Sequence, residues 1–217
     1  MEIPSEFIEC LTLQRAAYLA DPCPNVQSRR ADLEALHSML RDNETEIVSS
    51  ISADFGVRSA VETQLLELFP VREGIRSTIA KIGKWMRPQK RKVDWLIYFG
   101  AKNRVIPQPL GVVGIIVPWN FPIQLSFGPL VDILAAGNRA MVKMSENSPR
   151  LARLLVELSP RYLPIDKLAF FECGGRGPAF STIPFDHLIF TGSSATGRAV
   201  MASAASNLCP VTLELVV

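Results

Sequence analysis

The run 111–122, GVVGIIVPWNFP, limits what this chain can fold into more than any other stretch. Val112, Val113, Ile115, Ile116 and Val117 follow one another with no polar alternation. That is the pattern of a strand covered on both faces, as in a parallel sheet flanked by helices. Pro118 stops it, because proline has no N–H to give to a ladder. Trp119 and Asn120 then fall in a turn at the carboxyl end of the strand, where open α/β sheets bind their ligands. Pro122 is expected to open the next helix, where its missing N–H costs nothing. Asn120 either satisfies its own backbone, a common use of turn asparagines, or presents its amide to a ligand.

From residue 111 onward, strand and helix patterns alternate, which argues for a parallel sheet. Strands are expected at 112–117, 139–143, 168–172, 186–191 and 211–215, with helices at 122–136, 149–162 and 193–207 and a glycine-rich turn at 174–178. The fold class this predicts is α/β, a doubly wound Rossmann-like parallel sheet of about five strands. Ahead of it lies a helical extension, 1–92. Residues 1–25 are poorly patterned, interrupted by Pro4, Pro22 and Pro24. Leu33, Leu36, Leu40, Ile47, Val48 and Ile51 predict one helix over 26–54, closed by Gly56. A second helix is expected over 59–85, with Ser59 and Glu62 as a capping box and a kink or new start at Pro70. The segment 93–109, with WLIYFG and NRVIPQP, reads as a small hairpin outside the main sheet, leaving 110–217 as the sheet domain.

Bulk electrostatics favour neither nucleic acid nor membrane, since the net charge is +2 over 217 residues. The short basic run at 87–92 reads as a solvated face. No apolar run approaches the length of a membrane span. The opening MEIPSEFIEC is acidic, unlike a secretory signal. Four cysteines without CxxC spacing, and only two histidines, predict no zinc site and no disulfide framework. Reduced thiols in a cytoplasmic chain are the expectation.

Three places carry residues suited to chemistry. Lys143 and Glu146 follow the second strand; a lysine donates and a glutamate accepts, so the pair can hold ribose hydroxyls or form an ordinary surface ion pair. Residues 190–197, FTGSSATG, form a strand end, a glycine turn and a helix start. Orphan amides there favour a phosphate, although the two glycines are five apart and Ser193 would also serve as a plain N-cap. Glu214 ends the last strand, where a buried carboxylate with a raised pKa could act as a general base.

These stretches taken together, GVVGIIVPWNFP, LAAGNRAMVKMSENSP, FPVREGI, PFDHLIFTGSSATG, PVTLEL and ISADFG, resemble the aldehyde dehydrogenase superfamily in the same order. The similarity is greatest to its coniferyl aldehyde dehydrogenase group. The resemblance implies NAD(P)-dependent oxidation of an aldehyde to an acid. It implies an oxyanion donor at Asn120 and a water-activating base at Glu214. Cofactor contacts are implied at Pro118, Trp119, Lys143, Ser145, Glu146, Gly192, Ser193 and Gly197. NAD is the expected cofactor, with NADP possible. Met144 stands where most members have proline. The resemblance makes 110–217 the NAD(P)-binding domain and 93–109 a bridging hairpin, which in that family contacts a partner subunit, while the nucleophilic cysteine lies beyond the glutamate motif. None of Cys10, Cys23, Cys173 or Cys209 has its context. The chain is therefore expected to be a truncated, catalytically incomplete form, or an NAD-binding or interaction module without catalysis. Apolar surface around Trp119, Phe121, Leu215, Val216 and Val217 is expected to face water and promote self-association.

Overall fold

The computed structural model describes residues 3–172 and 174–216. Five strands form one sheet: β3 (Val112–Ile116), β4 (Arg139–Lys143), β5 (Leu168–Phe171), β6 (His187–Ser193) and β7 (Val211–Val216). Their order is β5-β4-β3-β6-β7, and every neighbouring pair is parallel. The chain winds outward from β3 to β5, then returns to the other side of β3 for β6 and β7. The strand order reverses at β3 and β6, and a crevice opens there at the carboxyl ends.

Side-chain alternation along β3 feeds two cores. Val113, Ile115 and Val117 face α6 (Gln124–Ala135) and α7 (Pro149–Leu158), behind which lie α2 (Val26–Asp42), α3 (Glu44–Phe55) and α5 (Phe69–Trp85). Val112 and Ile116 face the opposite layer, built from α1 (Ser5–Ala20), α8 (Gly177–Ser181) and α9 (Ser194–Ala205). The amino-terminal helices thus contribute to both layers. The sheet is doubly wound, as the unbroken apolar pattern of β3 predicts.

Several local expectations are corrected. The poorly patterned amino end holds α1, which buries Phe7, Cys10, Leu11 and Gln14 at helical spacing while Ile8, Leu13 and Leu19 point outward. Apolar residues on both faces hid that period. The single helix expected over 26–54 is two, broken at Asn43, whose side chain donates to the Met39 carbonyl at 2.8 Å. Gly56 closes α3 in the left-handed region at φ 85°, a conformation glycine adopts without cost. The Ser59 capping box is not made; Glu62 turns to Arg58 instead, 3.5 Å away. Helix 60–85 runs as α4 (Ala60–Thr63), a π-helical stretch Gln64–Leu68, then α5 with Pro70 in its first turn. Pro122 does not open α6, which starts two residues later. The strand pair outside the sheet joins β1 (Gln89–Arg91) to β2 (Asn103–Val105), so one strand comes from the basic run. The 174–178 turn runs into α8.

Candidate functional site

The crevice has a volume of about 400 Å³. Pro118, Trp119, Lys143, Ser145, Glu146, Gly192 and Ser193 all line it. Parallel register explains the convergence: Ile116, at the end of β3, is level with Lys143 on β4 and Phe190 on β6. Whatever follows those positions emerges at one edge.

Lys143 is 5% exposed, and its ammonium lies 3.9 Å from the Glu146 carboxylate, which itself faces solvent. Gly177 leaves room beside the lysine; a Cβ there would sit 3.4 Å from Nζ. Ser193 caps α9, its oxygen accepting from the Thr196 amide at 3.2 Å and its hydroxyl donating to Thr196 Oγ1 at 3.0 Å. The serine is thus an N-cap and a crevice wall at once. Donor and acceptor for ribose hydroxyls, together with a capped helix amino end for phosphate, suit a dinucleotide.

Three expected positions, Gly197, Glu214 and Asn120, fall outside the crevice wall. Gly197 packs the first turns of α9 onto β7: a Cβ there would meet Leu215 at 2.6 Å. Glu214 is not buried. It stands exposed on the edge strand and accepts from Thr191 Oγ1 at 3.1 Å. It lines a separate hollow with Gln124, Gly128, Asp132 and His187, on the α6 side of the sheet. Side chains of a strand point to the sheet faces, and the hollow between α6 and β7 leaves the face that carries Glu214 open to water.

Asn120 sits half-buried, next to the crevice-lining Trp119, and its Oδ1 is sealed from solvent with no hydrogen-bond partner among the described residues. Its backbone carbonyl accepts from Arg58 Nη1 at 2.5 Å. The Arg58 guanidinium lies over the rings of Phe55 and Phe121, 4.8 Å from each centroid. The same nitrogen is 3.3 Å from Glu67, which is fully buried. Glu67 Oε2 accepts from the amides of Ile123 (2.7 Å) and Gln124 (3.2 Å), capping α6. Burial pushes the Glu67 carboxyl upward, opposed by those amides and by Arg58. Sequence reasoning passed over both residues. A signal was present: Thr63, Glu67, Val71, Ile75, Thr78 and Ile82 form one buried stripe, and Glu67 is the carboxylate in it.

The described thiols do not enter the crevice. Cys10 and Cys209 are buried, and burial raises both, Cys10 to about 12; Cys23 is exposed, and Cys173 lies outside the described residues. Among the described residues, no cluster of side chains could hold a metal ion and no helix is long and apolar enough to cross a membrane.

Comparison with known proteins agrees with this geometry. The chain is similar to a probable coniferyl aldehyde dehydrogenase of Pseudomonas aeruginosa, 49% identical over 93% of this chain and 42% of that protein. It superposes on a substrate-bound AldH of Staphylococcus aureus with a TM-score of 0.91 at 28% identity, over 99% of this chain and 46% of that one. A Mycobacterium tuberculosis aldehyde dehydrogenase complexed with NAD+ gives 0.82 at 28% identity, over 94% of this chain and 42% of that one. The chain therefore spans less than half the length of the proteins it matches. Its residues 20–216 match the profile of the aldehyde dehydrogenase family, and the chain belongs to that family.

Proposed function

We propose that this chain forms the cofactor-binding part of an NAD-dependent aldehyde dehydrogenase acting on a coniferyl-type aldehyde. The observation that carries the reading is the crevice itself, where Lys143, Glu146 and Ser193 line one cleft with Trp119, the residue before Asn120. Lys143 and Glu146 hold the adenosine ribose, and Ser193 with the α9 amino end holds the pyrophosphate. Pro118 and Gly192 form apolar walls along the cofactor. Asn120 donates its amide to the aldehyde oxygen as negative charge develops there, the role an oxyanion donor plays in acyl chemistry. Glu214 takes a proton from the water that completes the acid. It stands at the carboxyl end of β7, two strands across from β3, roughly 10 Å at ordinary strand spacing. Bound NAD supplies the hydride acceptor. The Glu146 carboxylate disfavours a 2′-phosphate on the ribose, so the reading is NAD over NADP. Free thiols at Cys10, Cys23 and Cys209 suit a reducing, cytoplasmic setting.

One observation favours a second reading, an NAD-binding module without turnover: no described cysteine lines the crevice. Calorimetric titration of the purified chain with NAD, followed by coniferyl aldehyde, separates the two. NAD binding with no NADH formation supports the module, and NADH formation supports the enzyme. Failure of NAD to bind would reject both.

A further inference from the structure

We infer that Arg58 and Glu67 are positioning residues for the Pro118–Phe121 turn, and through it for the Asn120 amide. Arg58 is the only tie from its segment to the Asn120 carbonyl among the described hydrogen bonds, and it is 7% exposed. Its guanidinium carbon lies over the rings of both Phe55 and Phe121, 4.8 Å from each centroid, and Phe121 is the residue next to Asn120. Glu67, fully buried, holds the other end of the same turn through the amides of Ile123 and Gln124. One carbonyl before Phe121 and two amides after Pro122 are thus fixed by one buried ion pair from a distant part of the chain. A guanidinium suits this place because its plane stacks on rings while its edge donates to oxygen. Arg58 Nε and Nη2 make no hydrogen bond among the described residues, so a smaller donor set would satisfy the carbonyl alone. What the arginine adds is the stacked plane, which sets the direction of approach.

The inference rests on the reading of Asn120 as the carbonyl-oxygen donor, and the test separates the two. In ¹⁵N-labelled chain, Asn120 carboxamide and Trp119 indole signals are each expected as a single sharp set. In Arg58→Met they are expected to split or broaden, while Ser145, Glu146 and Ser193, which Arg58 does not touch, keep their positions. Arg58→Lys, which restores the donor without the plane, is expected to recover them in part. Unmoved Asn120 and Trp119 signals in a folded Arg58→Met chain would overturn the inference. Equal disturbance of all crevice residues would overturn it too, since that is a merely structural effect. If Arg58→Met does not fold, the unmodified chain decides. Slowly exchanging Arg58 guanidinium protons with cross-peaks to the Phe55 and Phe121 rings are expected, and rapidly exchanging ones would overturn it. Adding coniferyl aldehyde to the NAD-loaded chain tests the other reading. An Asn120 carboxamide that ignores the aldehyde, in a chain whose turn still depends on Arg58, rejects the donor role and leaves the positioning intact.

Discussion

Glu146 shows how little a single side chain needs to carry. It is exposed, and the ammonium facing it is nearly buried at 3.9 Å. With the carboxylate in solvent and 3.9 Å between the charges, screening leaves the pair little stabilising effect, so its removal should be read in ligand binding. Glu146→Ala is expected to weaken NAD by roughly 1–2 kcal/mol, the order of a hydrogen bond to a charged group. Its melting temperature should stay near that of the unmodified chain. Equal NAD affinity by calorimetry would reject the ribose assignment. The thiols give a second residue-scale expectation. Cys23 should react with a thiol reagent in the folded chain, and Cys10 and Cys209 only on unfolding. The folded Cys10 thiol ionises at about 12, above its ordinary 9.0. Its stabilising contribution is therefore complete below about pH 9 and is lost as pH rises towards 12. Cys10→Ala should show a shallower alkaline fall in urea midpoint; an unchanged slope would argue that Cys10 is not buried in solution.

Among elements, α6 is the most tightly constrained. Glu67 accepts from its first amides, and Arg29 donates to the carbonyls of Ala135 (3.1 Å) and Ala136 (2.7 Å) at its last turn. A negative charge at the amino end and a positive one at the carboxyl end both complement the helix dipole. Arg29→Ala leaves those carbonyls without a donor and is expected to cost roughly 3 kcal/mol of unfolding free energy. Gly137→Ala meets the same arginine, since φ is 86° and a Cβ would lie 2.8 Å from its Cζ; a loss of roughly 1–3 kcal/mol is expected. Denaturant titration checks both, and midpoints unchanged from the unmodified chain would remove the clamp. The strands were legible because β3, closed by Gly111 and Pro118, and β5 are short apolar runs and β4 has an apolar centre. The crevice was legible because its residues cluster just after strand ends. Glu67 and Arg29 were not, because charged residues inside helical patterns read as solvated, and Arg58 was not, because it lies in the short link between two such patterns. Their partners are backbone groups far along the chain, which no local period reveals. Glu214 was misjudged for a related reason: whether a strand's face is covered depends on packing, and packing is a long-range property.

For the whole molecule, the surface is uneven. Trp95, Leu96, Ile97, Tyr98 and Phe99 are 62–91% exposed in the loop joining β1 to β2. Trp119 is 52% exposed and Leu215 41%, while Phe121 is half-buried; Val217 and the Val216 side chain lie outside what is described. Contiguous apolar surface of this kind marks an interaction site or an aggregation hazard. Concentration-dependent sedimentation and strong binding of a hydrophobic dye are expected, both reduced in Leu96→Lys combined with Phe99→Ser. A concentration-independent monomer with little dye binding would contradict this.

The two charges that clamp α6 reach it from segments more than fifty residues upstream. The helix at the heart of the sheet layer therefore has no complete set of partners until the amino-terminal helices have docked, and those helices have no core until α6 is in place. Neither can loosen alone at small cost. Native-state amide exchange in α2 and α6 should report a single shared opening energy, so that the helical layer and the sheet melt as one cooperative unit. A chain cut between Trp85 and Val112 should then yield two pieces, neither of which folds without the other.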